Sequence, residues 1–382
     1  MPPREPTADA LAHSERLVQR IREEIGASGG WIGFARYMEL ALYAPGLGYY
    51  MAGAGKLGRE GDFVTAPEIS PLFGETLARQ VAQVLDAGLE EVIEIGAGSG
   101  ALAASLLTEL ERLGRLPKRY LILELSADLR ERSRDTIAAR ASRLMERVAW
   151  LNRLPPSFLG VVLGNEVLDA MPVHIVRVTE TLIEESGVES VDGEAFRWAW
   201  RPAAGELLEA ARELELPPGY TTEIALVARG FVRSLAEALE RGVSMFIDYG
   251  FPRHEYFHPQ RATGTLMCHY RHHAHDDPFV LPGLQDITSH VDFSAIADVG
   301  VGGGMALLGY TTQAQFLINC GITDVLARVP AEDAGRYLPL SNQANRLLSP
   351  AEMGELFKVI AFGKGYQVPL IGFRSGDRAR TL

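Results

Sequence analysis

The stretch that decides the fold is EVIEIGAGSG, residues 91–100. Val92, Ile93 and Ile95 with the single acid Glu94 read as a short buried strand, and an alanine-rich helix follows. Between them stand Gly96, Gly98 and Gly100. Without a Cβ, these positions let the backbone turn tightly and come close to a ligand. The helix that opens near Gly100 points its unpaired N–H groups toward the same place, which suits an anionic or nucleotide-type ligand.

Two ligands satisfy this loop. Gly96-x-Gly98-x-x-Ala101 fits the relaxed dinucleotide fingerprint. Gly96-x-Gly98-x-Gly100 with Glu94 two residues before it fits the opening of a class I S-adenosylmethionine-dependent methyltransferase. A ligand-free strand-to-helix turn is the plainer alternative.

Outward from the loop, strands and helices alternate. Strands are predicted at 92–95, 120–125, 148–151 and 160–163, with helices at 101–113 and 127–144. Strands separated by helices imply a parallel sheet with crossover helices, whose ligands bind beyond the carboxyl ends of the strands. A β-rich insertion is predicted at about 173–220, with strands at 173–178, 182–185 and 196–200 and turns at Gly187 and Asp192-Gly193. A helix at 231–241 returns the chain to a fifth strand, 243–247, and a final strand is read at 357–362. A second insertion, at about 251–350, reads as irregular and helical. Residues 1–90 read as a separate helical unit that could lie over the cleft as a lid or pack on the sheet edge. It has helices at 10–25, 31–42 and 73–89, an aromatic turn at 43–50 and a glycine-rich segment at 53–61 that could flex.

Composition narrows the function classes. The chain has 382 residues, 47% of them hydrophobic, enough for a large core. A net charge of −12 argues against general nucleic-acid binding. There is no apolar run of the length a transmembrane helix needs. Cys268 and Cys320 lie far apart without metal-type spacing, as in a reducing cytosol. The first 30 residues lack the apolar core of a secretory signal, and their acids do not suit a transit peptide.

Several positions carry chemistry. Glu124 closes the second strand and can accept hydrogen bonds from the two ribose hydroxyls of either cofactor. Asn165, Glu166 and Asp169, in GNEVLDAMP at 164–172, put an amide and two carboxylates after the fourth strand. Carboxylates can grip a guanidinium fork and localise its charge. Glu166 and Asp169 are therefore candidates for holding an arginine side chain, with Asp248 a third, and a capped turn is the structural alternative. Such a cluster suits methyl transfer, which depends mainly on alignment, better than hydride transfer. His269, His272, His273 and His275 lie beside Cys268, and a helix would put His269, His272 and His273 on one face, but no second ligand cluster accompanies them, and no metal site is assigned.

The residues also resemble a family. FARYM at 34–38, YAPGLGYY at 43–50, GDFVTAPEISPLFG at 61–74, EIGAGSG at 94–100, LELS at 123–126 and NEVLDAMPV at 165–173 look like the MidA-like methyltransferases. DYG at 248–250, GTL at 264–266, QDIT at 285–288, HVDF at 290–293 and MGELFKV at 353–359 agree, so the resemblance covers nearly the whole chain. It implies a class I methyltransferase (Rossmann-like) α/β sheet with helices on both faces, spanning residues 91–382. It also implies S-adenosylmethionine as cofactor and a protein arginine as substrate, by relation to a mitochondrial assembly factor of respiratory complex I. Gly96, Gly98, Gly100 and Glu124 carry over to the cofactor, joined by Asn165 and by Thr65, Pro67 and Glu68 of the 61–70 segment. A complex I subunit is the implied partner, with a homodimer left open. The setting is a bacterial cytoplasm, or the mitochondrial matrix for a eukaryotic chain. A small-molecule methyltransferase and a cofactor-binding assembly chaperone with little turnover are the other readings.

Overall fold

The structure is a computed structural model and describes residues 6–52, 64–191 and 195–382. The glycine-rich segment at 53–61 and the turn at Asp192-Gly193 lie outside the described residues. The chain divides into two compact units. One comprises Met1–Phe63, Asp169–Gly230 and Arg253–Asp292, and the other Val64–Leu168, Phe231–Pro252 and Phe293–Leu382.

The larger unit is built on a sheet whose strands are β1 (Glu91–Ile95), β2 (Arg119–Leu123), β3 (Val148–Leu151), β4 (Phe158–Asn165), β5 (Leu239–Phe251), β6 (Ala306–Thr312) and β7 (Phe357–Lys364). Their order across the sheet is β6-β7-β5-β4-β1-β2-β3. β3, β2, β1, β4 and β5 run parallel, and β7 enters antiparallel between β5 and β6. Strand order reverses between β1 and β4, the point where such sheets bind ligands. The register aligns their ends, because Ile95 pairs with both Leu123 and Gly164, and Asn165 pairs with Ile247. Gly96, Glu124, Glu166 and Asp248 therefore follow one another along one edge of the sheet.

Helices cover both faces, because the central strands are apolar on both. On one face Val92, Ile122, Val161, Met245 and Val359 join a core with residues of the helices Pro71–Leu85, Ala101–Arg112 and Ala127–Ala141. On the other, Phe246 meets the Phe231 ring edge-on at 6.2 Å, and a Cβ at Gly300 would lie 2.6 Å from the Phe362 ring.

The smaller unit holds an antiparallel sheet of Ile32–Gly33, Ile183–Val191, His174–Val178 and Thr221–Ile224, with Ala195–Pro202 paired to Ile183–Val191. A second antiparallel sheet joins His273–His275, Met267–Tyr270 and Asp286–Thr288. The helix Ala8–Ala27 is capped by Thr7, whose hydroxyl accepts from the Ala10 N–H at 3.3 Å. It buries Leu17, Ile21 and Ile25 in a cluster with Tyr37 and Tyr49.

Several expectations change. Gly187 is not a turn but sits inside a strand, because a Cβ there would lie 2.3 Å from the Ile32 carbonyl and the Trp31 ring. Residues 64–90 belong with the sheet unit, and the segments 169–230 and 253–292 gather with residues 1–63. The stretch 251–350 contains β-structure, including the sheet strand β6. The helix read at 231–241 is Leu226–Ala238, and β5 begins at Leu239.

Candidate functional site

The loop after β1 uses its glycines in two ways. Gly96, Gly98 and Gly100 have φ of 64°, 52° and 79°, in the left-handed region where side chains are strained. Gly96 donates its N–H to the Leu123 carbonyl at 2.9 Å, closing the loop against the end of β2. Gly100 caps the helix Ala101–Arg112, and a Cβ there would come within 2.8 Å of the Ser133 backbone. The third glycine is thus needed for packing against Ala127–Ala141. Gly96 and Gly98, with the N–H groups of the helix's first turn, are the candidates to face a ligand.

Two acids flank the loop. Glu94 lies 2% exposed within β1 and accepts a hydrogen bond from the Tyr120 hydroxyl at 2.7 Å. Burial pushes its carboxyl up to about 7, against the opposing effect of the Tyr120 hydrogen bond. Glu124 stands one residue beyond β2, 7% exposed, and its Oε1 accepts from the Ser126 N–H at 3.0 Å. Burial raises its pKa, while backbone N–H groups that include Gly98 act to lower it. The ribose candidate is thereby tied to the glycine loop itself. Arg130, which sequence reasoning did not single out, fixes this corner. It donates to the Glu124 carbonyl, the Leu151 carbonyl and Asn152 Oδ1, each at 2.6 Å. Its position one turn into the helix after Glu124 was the available signal. Leu125, beside Glu124, is 59% exposed and offers an apolar surface next to the carboxylate.

After β4 the chain makes a strained turn. Glu166 has φ of 53°, a conformation few non-glycine residues adopt, and donates its N–H to the Ile247 carbonyl at 2.9 Å. Asp248, 1% exposed, holds this turn: its Oδ2 accepts from the N–H groups of Val167 at 3.1 Å and Leu168 at 2.9 Å. Its Oδ1 accepts from the Tyr249 N–H at 2.9 Å. Asp248, the third candidate acid of the sequence, thus accepts backbone N–H groups on both oxygens. Asn165 donates from Nδ2 to Glu166 Oε1 at 3.0 Å, which orients the Glu166 carboxylate. Its own Oδ1 is buried without a hydrogen-bond partner among the described residues.

Thr65, Pro67 and Glu68 belong to the same unit. Thr65 is the N-cap of the short helix Ala66–Ile69 but makes no side-chain capping bond, Pro67 occupies its first turn, and Glu68 Oε2 is buried without a partner among the described residues. Residues 61–63 of the same motif lie outside the described residues. The orphaned oxygens of Asn165 and Glu68, together with the positive-φ glycines and a helix N-terminus, fit a ligand that brings hydrogen-bond donors and needs close backbone approach.

Asp169 falls in the smaller unit, 5% exposed, with its carbonyl accepting from the Ser289 N–H at 3.0 Å. The histidines do not share a helical face. Met267–Tyr270 and His273–His275 form a hairpin, turned at Arg271 and His272 with φ of 48° and 65°. Among the described residues, no group of three His, Cys, Asp or Glu is placed to hold a metal ion. Nor is any helix among them long and apolar enough to cross a membrane.

The chain is similar to known methyltransferases. A family model described as S-adenosyl-L-methionine-dependent methyltransferase matches residues 76–311. A solved chain from Burkholderia thailandensis, bound to S-adenosyl-homocysteine, is 56% identical, with 99% of each chain covered and a TM-score of 0.96. The mitochondrial protein arginine methyltransferase NDUFAF7 of Mus musculus is 31% identical over 87% of this chain and 81% of its own. The Drosophila melanogaster homologue of that enzyme is 28% identical, over 97% and 92%.

Proposed function

Because the chain belongs to the S-adenosyl-L-methionine-dependent methyltransferase family, we propose that it methylates an arginine side chain of a protein. S-adenosylmethionine supplies an electrophilic methyl group when bound. Gly96 and Gly98 provide the close backbone approach, with Gly100 fixing the helix behind them. Glu124 accepts from the ribose hydroxyls, and Leu125 lies where a nucleobase needs apolar surface. Asn165 and Glu68 turn their unpartnered oxygens to donors on the methionine end, and Thr65 and Pro67 shape the segment that carries Glu68.

The observation that carries the arginine reading is the carboxylate of Glu166. It stands at the carboxyl edge of the sheet, beside the reversal point, and is held there by the Asn165 amide and a turn clamped by Asp248. Keeping a glutamate in the left-handed region costs about 1–3 kcal/mol, which the clamp must offset. Such an investment in one orientation fits a group that grips a guanidinium and aligns one nitrogen for in-line attack. Asp248 is a positioning residue. The names of the mitochondrial relatives, protein arginine methyltransferases, support the same chemistry, and the family resemblance implies a respiratory complex I subunit as substrate. Identity to the Burkholderia chain favours a bacterial cytoplasm, with the matrix as the setting of a eukaryotic counterpart.

Glu166→Gln tests this reading. It should leave cofactor affinity intact and lower methyl incorporation by one to two decades, since a charge-assisted hydrogen bond contributes roughly 1.5–3 kcal/mol. Wild-type incorporation would remove Glu166 from the mechanism.

A further inference from the structure

We propose that Tyr50, Asp286 and Thr288, with Asp169, form the subsite of the smaller unit that selects a guanidinium over other cations. This rests on the arginine reading above and names the residues that enforce it.

The strand Asp286–Thr288 pairs with Met267–Tyr270 in the register Cys268↔Ile287 and His269↔Asp286. Side chains alternate across a strand, so Ile287 goes to one face and Asp286 and Thr288 to the other. Ile287 and Cys268 are fully buried in the apolar cluster with Leu17 and Tyr49. On the opposite face Asp286 is 3% exposed, and its Oδ1 accepts from the Tyr50 hydroxyl at 2.8 Å.

Tyr50 stacks on Tyr43, with centroids 5.5 Å apart and planes at 26°. Tyr43 in turn donates its hydroxyl to the Ala170 carbonyl at 3.0 Å, while Ser289, next after Thr288, donates its N–H to the Asp169 carbonyl at 3.0 Å. The Asp169 segment is therefore pinned between the tyrosine pair and the end of this strand. The pair is part-exposed, whereas both carboxylates are buried. Burial first, then the charges of Asp286, Tyr43 and Asp169, keep the Tyr50 phenol protonated and donating.

Thr288 supplies the independent sign of a ligand. Its hydroxyl is on the Asp286 face, 3% exposed, with no hydrogen-bond partner among the described residues. Valine has the same shape and would carry no buried orphan, so packing alone does not call for threonine here. A ligand that brings N–H donors completes it. Two carboxylates, a third acceptor and a flat aromatic wall match a planar cation with five N–H groups. They match a compact, strongly hydrated ammonium less well.

The test is calorimetric titration of the full chain, loaded with S-adenosyl-homocysteine, using Nα-acetyl-arginine amide and Nα-acetyl-lysine amide. The arginine compound should bind saturably and at least tenfold tighter than the lysine compound. Thr288→Val should weaken it roughly five- to tenfold while keeping wild-type S-adenosyl-homocysteine affinity and a melting temperature no lower than wild type. Asp286→Asn should weaken it further. Equal affinity for the two compounds, no saturable arginine binding, or wild-type arginine affinity in Thr288→Val would overturn the subsite. Failure of the wild-type chain to bind S-adenosyl-homocysteine would instead overturn the methyltransferase reading beneath it.

Discussion

Asp248 accepts a hydrogen bond from the backbone N–H of Leu168 at 2.9 Å, joining the end of β5 to the turn that carries Glu166. The same oxygen takes the Val167 N–H, and the other takes that of Tyr249. An amide in place of this carboxylate must aim its NH₂ at a donor whichever way it turns. Asp248→Asn should therefore release the turn, at a cost of roughly 1.5–3 kcal/mol. Amide hydrogen exchange at Val167 and Leu168 should quicken by about ten- to a hundredfold, and methyl transfer should fall while cofactor affinity stays near wild type. Unchanged exchange would show that the turn does not depend on this clamp.

The glycines should separate by role. A Cβ at Gly100 meets the Ser133 backbone at 2.8 Å in a left-handed conformation, so Gly100→Ala should lower stability by about 2–4 kcal/mol. Gly98→Val should fold with a smaller loss and fail to bind S-adenosylmethionine, the outcome expected of a side chain added where the cofactor is proposed to approach. Denaturant unfolding and calorimetry on both variants would check this. Cofactor affinity at the wild-type level in folded Gly98→Val would remove the loop from the site.

Glu94 should make stability depend on pH in a direction opposite to that of a salt-bridged acid. Its carboxyl is pushed up to about 7 in the fold from an ordinary 4.5, with burial the main cause. The folded state therefore holds the proton more tightly, so this contribution is full below about pH 4.5 and is lost as pH rises through 7. Glu94→Gln keeps an acceptor for Tyr120 without the ionisation. Relative to wild type it should gain stability between pH 5 and 8, by as much as about 3 kcal/mol. A difference between the two proteins that stays flat across that window would contradict the assignment.

The sequence disclosed the parts that local chemistry encodes. Glu91–Ile95, the three glycines and Glu124 could be placed from period, turn chemistry and spacing alone, and the strands before β5 followed. What remained hidden depends on distant neighbours. Gly187 resembles a turn until the Trp31 ring is seen against it. β6 is a seven-residue strand that pairs only with β7, some fifty residues later, so no local pattern marks it. Asp248 was picked out as an acid at a strand end, but its work on the Leu168 backbone needs the alignment of β4 with β5. The gathering of 169–230 and 253–292 with the first 63 residues rests on long-range pairing such as Ile32 with Val188.

Methyl transfer to a protein arginine can be read out directly. The most direct measurement incubates the chain with methyl-labelled S-adenosylmethionine and lysate from a strain lacking it, then maps the label by mass spectrometry. The account predicts one or a few labelled proteins carrying methylarginine, with labelling abolished in Gly98→Val and much reduced in Glu166→Gln. Label confined to small molecules or to another residue type, or no label from a chain that binds the cofactor, would contradict it.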